Sequence, residues 1–341
     1  MKYIDQLKFE YNLKGVGTPE YYLGGNVDIA ADGTMTWSAK TYIKNVCERI
    51  EKLFDTTLRP YGSPLEDNYH PEIDESPLLS EDMVSRYRML VGSANWVVIL
   101  GRFDVLYAVA TMARFSQVPR EGHLQAMLRV FGYLKGYAKG RILVDTTIPK
   151  IQGTPIKHDW KEHYPDSVEE LPRHMLTPKG KPVVITGYVD ADHAHDLVTR
   201  RSVTGMLFLL NNTPIKWYSK RQNTVESSTY GSELVSARIA TDMIVELRYK
   251  LRMLGVPVNA AAVLYGDNQS VVLNTTVPSS TLKKKHHGCS YHRVREAVAA
   301  GILHFFFIRS EKNVAVVLTK PIGPKPFYSR IKDYLFGRRS D

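Results

Sequence analysis

The stretch Val183-Val184-Ile185-Thr186-Gly187-Tyr188-Val189-Asp190-Ala191-Asp192 decides how this chain reads. Its apolar, β-branched run over 183–189 predicts a strand, with Asp190 at the end. Two further acidic residues occupy comparable places. Glu233 lies in Ser-Thr-Tyr-Gly-Ser-Glu-Leu-Val, where a helix begins, and Asp267 follows the apolar run of Leu264-Tyr265-Gly266. Strand ends and a helix packed on one sheet face can meet at one edge. Carboxylates meeting there can hold a pair of hard divalent cations, the usual means of cutting phosphodiester bonds. Singly, each is better read as a turn, cap or solvated residue; the case rests on the three together.

Around these residues the pattern is regular. Val183–Val189, Thr204–Leu210 and Pro214–Tyr218 read as successive strands, separated by the turn-like Thr199-Arg200-Arg201-Ser202 and Asn211-Asn212. A long helix follows, with Ala240, Ile244, Leu247, Leu251 and Leu254 on one stripe. Ser228 or Thr229 is its cap, and Gly255 with Pro257 its stop. Then come a strand over Ala262–Gly266, a short helix after Asp267, a helix over His292–Ala300, a strand over Leu303–Ile308 and a closing helix from about Asn313. The fold class is therefore mixed α/β, a five-stranded mixed sheet with flanking helices over residues 181–337.

Residues 1–145 read differently. Ile4, Leu7 and Tyr11 recur at helical spacing up to Gly15, and Ala31-Asp32-Gly33 marks a hairpin. Tyr42–Phe54, Met83–Phe115 (broken near Gly101) and Gly122–Leu134 are helical, making a mostly helical first domain. Between the two parts, residues 146–180 hold five prolines without a clear period, a linker or surface loop.

Bulk composition narrows the setting. Two cysteines among 341 residues, Cys47 and Cys289, exclude a disulfide framework and fit a reducing interior, cytoplasm or nucleus. No apolar run is long enough to span a bilayer. Residues 281–341 hold thirteen Lys and Arg against four Asp and Glu, so nearly all of the +10 net charge lies there. Such a basic end attracts polyanions, nucleic acid above all, although a lone lysine run is more often just a solvated face.

With its flanking phrases, this order of elements resembles the ribonuclease H domain of copia-type retrotransposon polyproteins. The phrases are Gly-Tyr-Val-Asp-Ala-Asp-His-Ala, Arg-Arg-Ser-Val-Thr-Gly, Ile-Lys-Trp-Tyr-Ser-Lys-Arg-Gln, Ser-Ser-Thr-Tyr-Gly-Ser-Glu, Gly-Asp-Asn-Gln-Ser, Tyr-His-Arg-Val-Arg-Glu and Leu-Thr-Lys-Pro. Earlier, Tyr21-Tyr22-Leu23-Gly24, Tyr87–Ser93, Arg102-Phe103-Asp104 and Tyr133-Leu134-Lys135-Gly136 are similar to the thumb-like end of the reverse transcriptase, where the family has proline in place of Phe103. The chain has no adjacent Asp-Asp, so the polymerase motif is missing and polymerase activity is not expected.

The resemblance implies a ribonuclease H-like fold and RNA–DNA hybrid as substrate. It also implies two Mg²⁺ or Mn²⁺ ions on Asp190, Glu233 and Asp267, with the rest of the polyprotein (fingers, palm, integrase) as partner. The family's fourth carboxylate falls where Val316 stands, so one ion is expected to bind weakly, with Asp192 a substitute ligand and Glu311 a poorer one. Arg200, Arg201, Lys216, Lys220, Arg221, Lys284, Lys285 and His286 are candidates for phosphate contact. Gln222, Asn223 and Asn268 have the chemistry to read 2′-hydroxyls, whereas Trp217 reads as core. His286 or His287 suits product release or proton movement; a zinc site with Cys289 lacks a fourth ligand, and His193 with His195 is a weaker metal candidate. The rivals are a hybrid-binding remnant without catalysis, and a DNA nuclease of the same fold such as a resolvase or integrase.

Overall fold

The structure, a computed structural model, describes residues 2–12 and 17–337. Helix α1 (Lys2–Glu10) precedes β1 (Tyr21–Tyr22), β2 (Gly25–Ile29) and β3 (Met35–Ser38). Gly15, expected to end the first helix, lies outside the described residues. β2 and β3 pair antiparallel across the Asp32-Gly33 turn, where Gly33 takes φ +83° and Asp32 accepts a hydrogen bond from the Thr34 amide. Left-handed backbone is what calls for glycine there.

Helices α2 (Lys40–Phe54), α3 (Glu81–Ile99), α4 (Leu106–Ala113) and α5 (Glu121–Gly136) follow. α2 buries Ile43, Val46, Cys47 and Ile50, the stripe set by its spacing. The break after α3 falls at Gly101, whose φ is +107° and where a Cβ would stand 2.8 Å from Ile142. β4 (Arg141–Leu143) returns to pair with β3, so these helices share their half with a sheet ordered β1-β2-β3-β4. Three residues are too few for periodicity to register as a strand.

The second sheet has the expected five-stranded mixed form. Its strands are β5 (Ile185–Asp192), β6 (Val203–Leu210), β7 (Thr213–Arg221), β8 (Ala262–Gly266) and β9 (Leu303–Phe307). Their order is β7-β6-β5-β8-β9; β5, β6 and β7 are antiparallel neighbours, and β8 lies parallel to both β5 and β9. α6 (Thr229–Met253), α7 (Gln269–Thr276) and α8 (Gly288–Ala299) provide its helices. The closing helix α9 spans Pro324–Leu335 rather than starting near Asn313, because Pro321 bars a continuous helix from there and Pro324, just after the Gly323 cap, starts a new one. Residues Val314–Leu318 instead form a wholly buried 3₁₀ turn.

Side-chain alternation on β6 explains how the halves meet. Met206 and Phe208 enter the core with Leu234, Ala237 and Ile244 of α6, whereas Leu207 and Leu209 enter a core shared with α2–α5, the 314–318 turn and α9. A strand buried on both faces reads as a continuous apolar run, which is what Val203–Leu210 is. Trp217 packs against this shared core, its ring 5.9 Å from that of Phe103. Among the described residues no helix is long and apolar enough to cross a membrane.

Residues 150–184 carry no regular element, yet they are tied to the second sheet and its helices. Glu169 makes paired hydrogen bonds to Arg248 (2.6 and 2.8 Å) and to Arg252 (2.5 and 2.8 Å), both on α6. Burial alone would raise the Glu169 pKa, but the two guanidinium groups outweigh it and hold the carboxylate at about 2. A depressed folded pKa stabilises the fold fully above the ordinary value near 4.5, and that stabilisation is lost as pH falls toward about 2. Glu169→Gln is therefore expected to remove on the order of 3 kcal/mol at neutral pH and to flatten stability across that acidic window. Urea unfolding of both proteins from neutral pH down through the window checks this; parallel curves would rule it out.

Candidate metal centre and nucleic-acid interface

The parallel pairing of β5 with β8 sets Asp190 and Asp267 side by side at one sheet edge, and α6 lays Glu233 over them. Ser228 caps α6 by accepting from the Gly231 amide, and Asn268 caps α7 by accepting from Val271, which fixes the residues beside each carboxylate. Asp190 and Glu233 are buried and Asp267 half-buried, with an oxygen from each within 4.8 Å of the others. Strand β5 continues through Asp192, so Asp190 lies inside the strand, opposite Gly205. A Cβ on Gly205 would stand 2.6 Å from Thr319 and 2.8 Å from the Ala315 carbonyl. Its missing side chain admits the 314–319 segment to the sheet.

Electrostatic crowding follows. Burial, and then the charge of Asp267, pushes Asp190 up to about 7, against the hydrogen bond donated by the Thr319 hydroxyl and the charge of Lys320. Burial, then Asp190 and Asp267, raises Glu233 well above the usual carboxylate range. Three acids held together in a low-dielectric site disfavour their own ionisation.

Val316 is buried in the 314–318 turn and brings no oxygen to the group; its carbonyl accepts from the Thr319 hydroxyl at 3.0 Å. Asp192 does not turn to the cluster. Its carboxylate pairs with His195 at 2.5 Å and lies 3.9 Å from Lys320. Glu311 is likewise outside the three-carboxylate group. His195 also lies 2.8 Å from the Tyr107 hydroxyl of α4, and His193 lies 3.3 Å from Ser232, so both are engaged in packing the loop rather than grouped with other ligands.

The basic candidates divide by environment. Arg201, Lys220, Arg221 and Asn223 line one cleft of about 260 Å³ together with Arg114, which follows α4. Arg114 and Arg221 both bond to buried Asp196, an acid that the sequence does not single out. Arg200 is exposed nearby, and Lys216 pairs with Glu246. Lys284, Lys285 and His286 are exposed on the turn before α8. Gln222 is buried, its amide donating to Thr204 Oγ1 at 3.0 Å and to the Ser232 carbonyl at 2.9 Å. That side chain ties the end of β7 to α6, and the Asn268 side-chain oxygen caps α7. Thr319 and Lys320, visible in Leu-Thr-Lys-Pro, act on Asp190 and Asp192, which only their three-dimensional position reveals.

No protein-family model matches the chain. It is 25% identical over 325 residues to the retrovirus-related Pol polyprotein from transposon RE1 of Arabidopsis thaliana, covering 95% of this chain and 19% of that protein. The corresponding protein from transposon TNT 1-94 of Nicotiana tabacum is 26% identical over 326 residues, covering 94% and 22%. The Ty1-MR1 Gag-Pol polyprotein of Saccharomyces cerevisiae is 23% identical over 336 residues, covering 95% and 17%. The homologues of this chain are retrotransposon Pol polyproteins. It spans about a fifth of the length of the Pol polyproteins it matches, and the match takes in the helical half as well as the sheet that carries the carboxylates. Among solved structures, LC11-RNase H1 in complex with RNA/DNA hybrid aligns at 15% identity and TM-score 0.32, covering 40% of this chain and 93% of that one. A foamy viral protease-reverse transcriptase in complex with RNA/DNA hybrid aligns at 10% identity and TM-score 0.30, covering 72% and 32%.

Proposed function

We propose that this is a ribonuclease H-like module of retrotransposon descent that binds RNA–DNA hybrid and hydrolyses the RNA strand with divalent cations. The convergence of Asp190, Glu233 and Asp267 carries the reading. The donor set fits: three carboxylates and no nitrogen or sulfur suit Mg²⁺ or Mn²⁺, and their crowded charge is what such an ion relieves. Two ions bound there would activate a water and stabilise the leaving 3′ oxygen. Asp190, Glu233 and Asp267 would hold them, Thr319 would fix the Asp190 carboxylate, and Val316 would leave one ion short of an oxygen. The cleft lined by Arg201, Lys220, Arg221 and Asn223 would grip phosphates, as would Arg200 and the turn with Lys284, Lys285 and His286.

In this reading residues 1–145 are a thumb-like segment, 146–180 a linker and 181–337 the hybrid-cutting unit. Polymerase activity is not expected, and the remainder of a Pol polyprotein is the natural partner, inside the cell. A second reading, hybrid binding without catalysis, is favoured by two observations: Val316 is sealed in an apolar turn, and Asp192 is drawn to His195. Binding and cutting of labelled hybrid, in Mg²⁺ and in Mn²⁺, separate the two. Hybrid should bind more tightly than duplex DNA. Replacing Lys284 and Lys285 by Ala should lower the salt slope of log K by about 0.7–0.9 for each phosphate that is no longer neutralised. Equal affinity for both duplexes would defeat both readings.

A further inference from the structure

A second cluster stands apart from the three carboxylates. Glu226, His286 and His287 offer ligand atoms that all lie within 4.8 Å of one another. Glu226 precedes α6, and both histidines belong to the 3₁₀ turn Lys285–His287. His287 is only 2% exposed, and its Nε2 is buried without a hydrogen-bond partner. Its Nδ1 lies 3.7 Å from Glu226 Oε2. That gap is too long for a hydrogen bond. It is close to the ~3.4 Å that separates two donors bound to one tetrahedral Zn²⁺.

Local structure builds the approach. Gly231 lies in the first turn of α6, and a Cβ there would stand 2.6 Å from His287 Cε1 and 2.8 Å from Glu226 Oε2. The bare backbone leaves room for imidazole and carboxylate to converge over the helix start. His286 packs on His287 with ring centroids 4.0 Å apart, and being exposed it can swing toward the pair. One ring nitrogen serves one ion: Nδ1, the atom beside Glu226, is the ligand, and Nε2 stays buried over the start of α6. Cys289, the ligand that sequence spacing suggested, is exposed and outside the group.

We propose that Glu226, His286 and His287 bind one Zn²⁺-class ion, with water in the fourth position, and so pin the Lys283–His287 loop to the start of α6. Two imidazoles and one carboxylate suit a borderline-soft ion, unlike the all-oxygen cluster. The Lys284 ammonium, 3.2 Å from Ser227 Oγ, already ties the same loop to the same segment. The bound ion would also add positive charge beside the lysine run. The site needs no nucleic acid and stands whether or not the hybrid reading holds.

The test is titration of the full chain with ZnCl₂, and with CoCl₂ read by visible absorption, in excess Mg²⁺. One saturable Zn²⁺ site and the intense bands of four-coordinate Co²⁺ are expected. Glu226→Gln and His286→Asn should each weaken binding at least ~10-fold, while Asp267→Asn leaves Zn²⁺ affinity unchanged. His286 is exposed, so its replacement tests the site without disturbing the core. The proposal is overturned if no saturable Zn²⁺ binding occurs, if neither substitution alters it, or if Asp267→Asn abolishes it.

Discussion

Asp267→Asn is expected to cut the rate of hybrid cleavage at least ~100-fold, and Val316→Asp to raise it by about 10-fold. Asp267 is one of three oxygen donors and the least buried, so the amide removes a full ligand charge while keeping the shape. Opposite logic applies at Val316. Its turn packs against the sheet beside Asp190, held by Thr319, and in the proposed reading an aspartate there would add a fourth oxygen to the site. Stability should move the other way when cations are chelated. Asp267→Asn then relieves the repulsion that raises Asp190 and Glu233 and should raise the melting temperature, whereas Val316→Asp buries a fourth acid and should lower it. Single-turnover cleavage in Mg²⁺ and Mn²⁺, with thermal melts in EDTA, reads both effects. If no variant cuts while all bind hybrid, the non-catalytic reading prevails.

The second large effect concerns the fold. Asp104→Ala is expected to destabilise the chain by about 3–5 kcal/mol. Arg102 and Asp104 are each 1% exposed and bond at 2.9 and 2.7 Å across Phe103. The Tyr133 hydroxyl donates to the same carboxylate at 2.6 Å, and Arg102 donates to the Tyr137 carbonyl at 2.8 Å. Removing the carboxylate strands a buried guanidinium, the costly way to break such a pair. Replacing both partners, Arg102→Met with Asp104→Leu, should cost less than Asp104→Ala alone, because no charge is left unpaired. Urea midpoints of the three proteins decide it; a loss under ~1 kcal/mol for Asp104→Ala would contradict the buried-pair account.

Much of this was legible in the linear sequence because local rules govern it. Alternation and apolar runs marked all five strands of the second sheet, Asp32-Gly33 marked the hairpin and Gly101 the helix break. The order of elements, together with the flanking phrases, nominated Asp190, Glu233 and Asp267, since strand ends and a covering helix can meet at one edge of such a sheet, and the three do converge. The short β4 and the inward turn of Gln222 were not legible. β4 depends on pairing with distant β3, and Gln222 on how α6 packs beside the end of β7, whereas the start of α9 was written locally in Pro321, Gly323 and Pro324 and was misread.

The sequence by itself determined the order of strands and helices around the second sheet and the basic C-terminal end. Those follow from side-chain period, turn chemistry and charge, which act over a few residues. Tertiary structure alone decided that Leu207 and Leu209 join the sheet to the helical half, and that Asp192 goes to His195 rather than to the acidic cluster. It alone set Glu226 beside His287, sixty-one positions away, over a glycine. Which of several chemically able side chains meet is fixed by packing between elements, and packing of that kind leaves no mark in local spacing.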